Sequence, residues 1–136
     1  MSKNPDQLLE KANALFESED YNACIDFIEQ ESLFTGDFDL TPEQLEQLHF
    51  LMGDSNFFTE RYQQAVPHYK ESFSLLKQMP DQQEKMLQRL TDTGHAYSWQ
   101  NDWESGKEFY EKAFEFAVEY FGKESEVNFP RGSIEK

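Results

Sequence analysis

The segments GDSNFFTERYQQAVPHYKESF (Gly53 to Phe73) and GHAYSWQNDWESGKEFYEKAF (Gly94 to Phe114) carry one pattern, offset by 41 residues. Gly53 and Gly94 are in register, as are Tyr62 and Trp103, Ala65 and Gly106, Tyr69 and Tyr110, and Ser72 and Ala113. A weaker copy, ANALFESEDYNACIDFIEQ, places Ala12, Tyr21, Cys24 and Ile28 in the same register. Small residues about 3 to 4 positions apart let two helices approach closely, and a ring from the start of the second helix fills the space between them. Each copy therefore predicts a helical hairpin, and Trp103, as the third such ring, is expected in the core. A fixed period of this size predicts a solenoid, whose units bury their apolar faces only by stacking.

Three copies in register resemble the tetratricopeptide repeat family over roughly residues 5 to 122. Where that family usually has an aromatic in mid-pattern, the copies have Leu15, Asn56 and Tyr97, so the third conforms there. The commonest repeat of the family is about 34 residues, so the longer period implies about one extra turn per helix. In this the chain is similar to the longer-helix branch seen in kinesin light chains and some bacterial regulators and adaptors. The resemblance implies an all-α fold, an α-solenoid of three helix-turn-helix hairpins in a right-handed superhelix. It also implies a concave groove, lined by the first helix of each pair, that holds another protein.

Punctuation places the helices at residues 5 to 17, 20 to 33, 42 to 58, 60 to 78, 80 to 100 and 102 to 121. The repeats then cover about 5–38, 42–79 and 80–122 of a domain spanning 1–122, with 123–136 as a tail. Thr41 is the expected N-cap before Pro42, Thr59 is a cap candidate, Pro80 opens the third pair and Gly122 stops it. Pro67 falls inside the fourth helix. The register runs on through Tyr69 and Ser72, so a bend is expected there and not a break.

The 136 residues suit one domain, and 15% aromatic content supplies bulk for its core. No apolar run reaches the roughly 18 residues of a membrane span, and the N-terminal sequence has no apolar signal region, so a cytoplasmic protein is expected. Net charge is −15, and residues 1–60 hold 14 acids against Lys3 and Lys11, a balance of −12. Nucleic acid and anionic membranes need a basic surface, so neither is an expected partner. A basic partner would be steered by such a field. The single Cys24 excludes an internal disulfide and reads as an inert core thiol. His49, His68 and His95 have no second ligand at metal spacing, and no catalytic or phosphate-loop motif is present. No enzyme activity, metal or cofactor is expected.

Along the wall of the groove implied by the resemblance, helical steps select Leu9, Asn13, Phe16 and Glu17 in the first copy. The second contributes Gln47, Phe50, Asp54, Phe57 and Phe58, and the third Gln88, Thr91, His95, Ser98 and Trp99. Phe50, Phe57, Phe58 and Trp99 suit apolar anchors, while Glu17 and Asp54 suit a Lys or Arg. The extra helical turn also admits Phe57 and Trp99 to the inter-repeat core. Family members that clamp the C-terminal carboxylates of heat-shock chaperones need cations at the positions held here by Leu9, Asn13, Leu51, Gln88 and Asp92. Only Asn13 matches, which argues against that ligand. The expected function is an adaptor binding a partner segment with basic and apolar residues. The alternatives are a small acidic chaperone for a secreted or self-associating protein, and a structural homo-oligomer. For the last, Phe109, Phe116, Tyr120 and Phe121 offer a homodimer face on the C-terminal helix, unless Val127, Phe129 and Ile134 fold over it.

Overall fold

The computed structural model describes residues 4–31, 33–34 and 38–122. Six helices account for it: α1 (Pro5–Glu17), α2 (Tyr21–Gln30), α3 (Pro42–Phe58), α4 (Tyr62–Leu76), α5 (Gln83–Trp99) and α6 (Trp103–Phe121). Among the described residues there is no strand. Each helix packs on its neighbours in the chain, and α1 also reaches α3. This is the stacked-hairpin arrangement of a helical-repeat solenoid.

The three hairpins close on one motif. Glu19, Glu60 and Asn101, each 41 residues from the next, are left-handed, with φ of 62°, 65° and 65°. Asp20, Arg61 and Asp102 then donate their backbone N–H to the carbonyls of Leu15, Asn56 and Tyr97 at 2.9, 2.7 and 2.9 Å. Those bonds, with the shorter ones from the left-handed residues, form a Schellman motif at the end of each first helix. They satisfy carbonyls that a helix end leaves open.

The helix starts follow local chemistry. Thr41 and Gln44 form a reciprocal capping box ahead of Pro42, with bonds of 3.1 and 2.9 Å. Asn4 caps α1 in front of Pro5, and Asp102 accepts from the Ser105 N–H. Thr59 closes α3 and bonds back to the Ser55 carbonyl at 2.8 Å. Three of the expected elements are longer than those found. Helix α2 stops at Gln30, α4 spans only Tyr62–Leu76, and α5 begins at Gln83 because the left-handed Asp81 (φ 58°) leaves Pro80 in the preceding turn. Helix α4 continues through Pro67, as the register requires.

Size is exchanged between facing positions of the hairpins. Ala12 and Ile28 are both fully buried, whereas Gly53 and Gly94 lie against the rings of Tyr69 and Tyr110. Cys24 is likewise fully buried and approaches the Ala12 carbonyl at 3.4 Å; burial raises its thiol pKa.

Trp103 corrects the expectation of a third buried ring: it is 66% exposed. Tyr21 contacts Phe16 in its own hairpin and Phe58 in the next, and Tyr62 contacts Phe57 and then Trp99. In the third hairpin Ser98 stands at the register position of Phe16 and Phe57, and among the described residues no hairpin follows. A repeat register reproduces an environment only where the neighbours are repeated too.

Candidate partner-binding groove

Register also locates a buried ion pair. Arg89 stands where the second hairpin has the fully buried Leu48, and Glu46 stands where the third has the buried Leu87. The two charges meet at 3.4 Å between α3 and α5, 3% and 7% exposed. Ser72 of α4 joins them, accepting from Arg89 Nε at 2.9 Å and donating to Glu46 Oε2 at 2.8 Å. Arg89 Nη1 reaches Asp92 at 3.3 Å and Gln88 at 3.1 Å, and its guanidinium lies 4.2 Å from the centre of the Phe50 ring. Phe50 and this network form the floor of an open groove.

The groove has a volume of about 500 Å3 and is walled by Asn13 of α1, Glu43 and Gln47 of α3, Leu76 and Met79, and Gln82, Lys85 and Gln88. Four of the sequence-selected residues, Asn13, Gln47, Phe50 and Gln88, converge here from three helices. Its polar wall is rich in carboxamides, which both donate and accept hydrogen bonds. Its charges are mixed, with Glu46 already paired to Arg89.

The other selected positions lie elsewhere. Leu9 is 5% exposed and belongs to the first core cluster, so it lines no groove. Phe16 is half-buried between Tyr21 and Phe50, and Glu17 faces solvent. Asp54, expected to face a partner's cation, instead accepts the Tyr69 hydroxyl of its own hairpin. His95 likewise turns to the Tyr110 hydroxyl at 2.6 Å, Thr91 bonds back to the Leu87 carbonyl at 3.0 Å, and Ser98 fills the close approach to Gly106. Phe57 packs half-buried on the cluster of Ala65, Val66, Tyr69 and Ala96. Phe58 and Trp99 are exposed at the turn ends of their helices, resting on Tyr21 and Tyr62.

Burial perturbs the acids beside the groove. Desolvation raises the Asp54 carboxyl and pushes that of Asp92 up to about 7, the neighbouring Asp54 charge adding to the latter while Arg89 opposes it. On the opposite side of the α3–α4 hairpin, His49 and His68 come together with Nδ1 atoms 3.0 Å apart, stacked with Phe34. Sequence spacing gave no hint of this pair, since antiparallel helices bring distant positions together. Burial lowers both rings to about 4, so one neutral ring donates to the other. Among the described residues no group of three or more His, Cys, Asp or Glu could hold a metal ion.

On α6, Phe109 and Phe116 are half-buried and line a second cavity of about 440 Å3 with Lys70, Phe73, Leu90 and Lys112, whereas Tyr120 and Phe121 are 49% and 43% exposed. Val127, Phe129 and Ile134 lie outside the described residues. None of the described helices is long and apolar enough to cross a membrane. No family model and no curated protein matches the chain.

Proposed function

We propose that this chain is a non-enzymatic adaptor of tetratricopeptide type, which holds a segment of another protein across α1, α3 and α5. The observation that carries this reading is the convergence of Asn13, Gln47, Phe50 and Gln88 on one open groove. Carboxamides on opposite walls suit the N–H and C=O groups of an extended peptide backbone, and Phe50, Leu76 and Met79 offer contact to apolar side chains. The acidic field of the first 60 residues adds a preference for a basic segment through its rate of approach. Because Asp54 is bonded within its hairpin, that preference is assigned to surface acids such as Glu17 and Glu43.

Selection from a random peptide library, followed by titration against Gln47→Ala/Gln88→Ala, tests the reading. Selected peptides should carry basic and apolar residues and lose about tenfold or more in affinity on the double variant, the equivalent of one or two hydrogen bonds. Unchanged thermal stability would show that the loss is local. Failure to select any peptide, or equal binding by the variant, would remove the groove from consideration.

A further inference from the structure

The ring contacts between successive hairpins follow one rule. The ring opening the second helix of a hairpin meets the ring near the end of the first helix of the next: Tyr21 meets Phe58 at 5.0 Å, and Tyr62 meets Trp99 at 6.0 Å. Trp103 is the third opening ring. Steps of about 3 to 4 residues along α6 bring Lys107, Phe114, Val118 and Phe121 onto its stripe. The matching stripe of α4 is covered, with Val66 packed in the cluster that includes Ala96, and Phe73 against Leu87 and Leu90. On α6 Trp103 is 66% exposed and Phe121 43%.

We propose that the α6 stripe headed by Trp103 is the docking surface for residues 123–136 of the same chain, which run back along it as an extended strap. Reach permits this. Helix α6 has 19 residues, about 28 Å at the usual rise, and 14 extended residues span about 46 Å. Gly122, with φ 87° and open space around its Cα, ends the helix where the chain must turn. Val127 and Phe129 are two apart, so an extended segment presents both to one side, and Ile134 adds a third apolar contact.

Charge selects the strap over a second copy. Residues 123–136 hold three acids and three bases, whereas α6 carries five acids and two bases and the whole chain −15. A second copy would bring like charge against like, while the strap adds none. The tether also sets a local concentration in about the millimolar range.

Trp103 reports its own cover. In full-length Trp99→Phe it is the sole tryptophan, and Phe at position 99 can rest on Tyr62 as Phe58 rests on Tyr21. Acrylamide quenching of this chain is compared with the same chain carrying Val127→Ser, Phe129→Ser and Ile134→Ser, all outside the described helices. The quenching constant should rise about twofold in the substituted chain, and the difference should hold from about 1 to 100 μM because the contact is intramolecular. Equal quenching of the two chains overturns the strap. Protection that grows with concentration, in step with a dimer seen by sedimentation, also overturns it and gives the face to a second copy.

Discussion

A Cβ added to Gly53 would lie 2.7 Å from the Tyr69 ring, and one added to Gly94 2.8 Å from that of Tyr110. Tyr69 is 1% exposed and its hydroxyl is held by Asp54, so the ring has little room to retreat. Gly53→Ala should therefore cost about 1–3 kcal/mol, as overpacking does, read as a fall in the urea midpoint. Trp103→Ala, with most of the ring already in water, should fall well below the ~3–5 kcal/mol of a buried aromatic. The Glu46–Arg89 pair allows a sharper test. Arg89→Leu alone leaves Glu46 buried without its cation and should cost about 3–5 kcal/mol. Adding Glu46→Leu restores the leucines that the register places at the equivalent positions, and should recover most or all of that loss. A double variant as unstable as the single would show that Ser72 and Phe50 need the guanidinium itself. Asp92 gives a pH test. Its folded pKa of about 7 lies above the ordinary 3.8, so the stability it contributes is full below pH 3.8 and lost as the pH rises through 7. Asp92→Asn should remove that decline and be the more stable chain at pH 8. The histidine pair acts in the opposite sense, full above pH 6.5 and lost as the pH falls through about 4.

At the scale of the element, the repeated turn decides how much could be read in advance. The first and third helices have the bounds expected for them, because Asn4 with Pro5 and Thr41 with Pro42 are explicit start signals. The left-handed turns were not legible: Glu19 and Glu60 occupy a conformation usually marked by Gly or Asn, and only Asn101 has the usual chemistry. The same mismatch yields a prediction. Glu60→Gly should stabilise by about 0.5–1 kcal/mol by removing left-handed strain, with Asn101→Gly gaining less; no gain at Glu60 in a thermal melt would mean its side chain contributes elsewhere. Groove residues were legible in part, since small and ring positions fix the rotation of a helix only approximately. Asn13, Gln47, Phe50 and Gln88 face the groove, whereas Leu9, Asp54 and His95 turn into the protein. Glu46 and Arg89 were the missed residues, although a charge in one copy opposite a leucine in another was visible in the register.

Across the whole molecule, contacts run only between neighbours, so local stability need not be uniform. The middle elements have a hairpin on either side, and the buried Glu46–Ser72–Arg89 network ties α3, α4 and α5 together. The first hairpin is stacked on one side only, its second helix is the shortest at 10 residues, and it lies in the part of the chain with the −12 balance. Like charges along a short, one-sided unit favour its opening, and salt screens them over a Debye length of about 8–10 Å at physiological strength. Amide hydrogen exchange should therefore show α1 and α2 opening at lower free energy than α3 to α5. Raising salt from about 10 to 150 mM should slow exchange in α1 and α2 more than in α4 and α5, where acids and bases are closer to balance. Equal protection along the chain would mean that the hairpins unfold as one unit. A salt effect spread evenly over all six helices would mean that the acidic first half is no more strained by its charge than the rest, leaving the approach of a basic partner as the one consequence of that asymmetry.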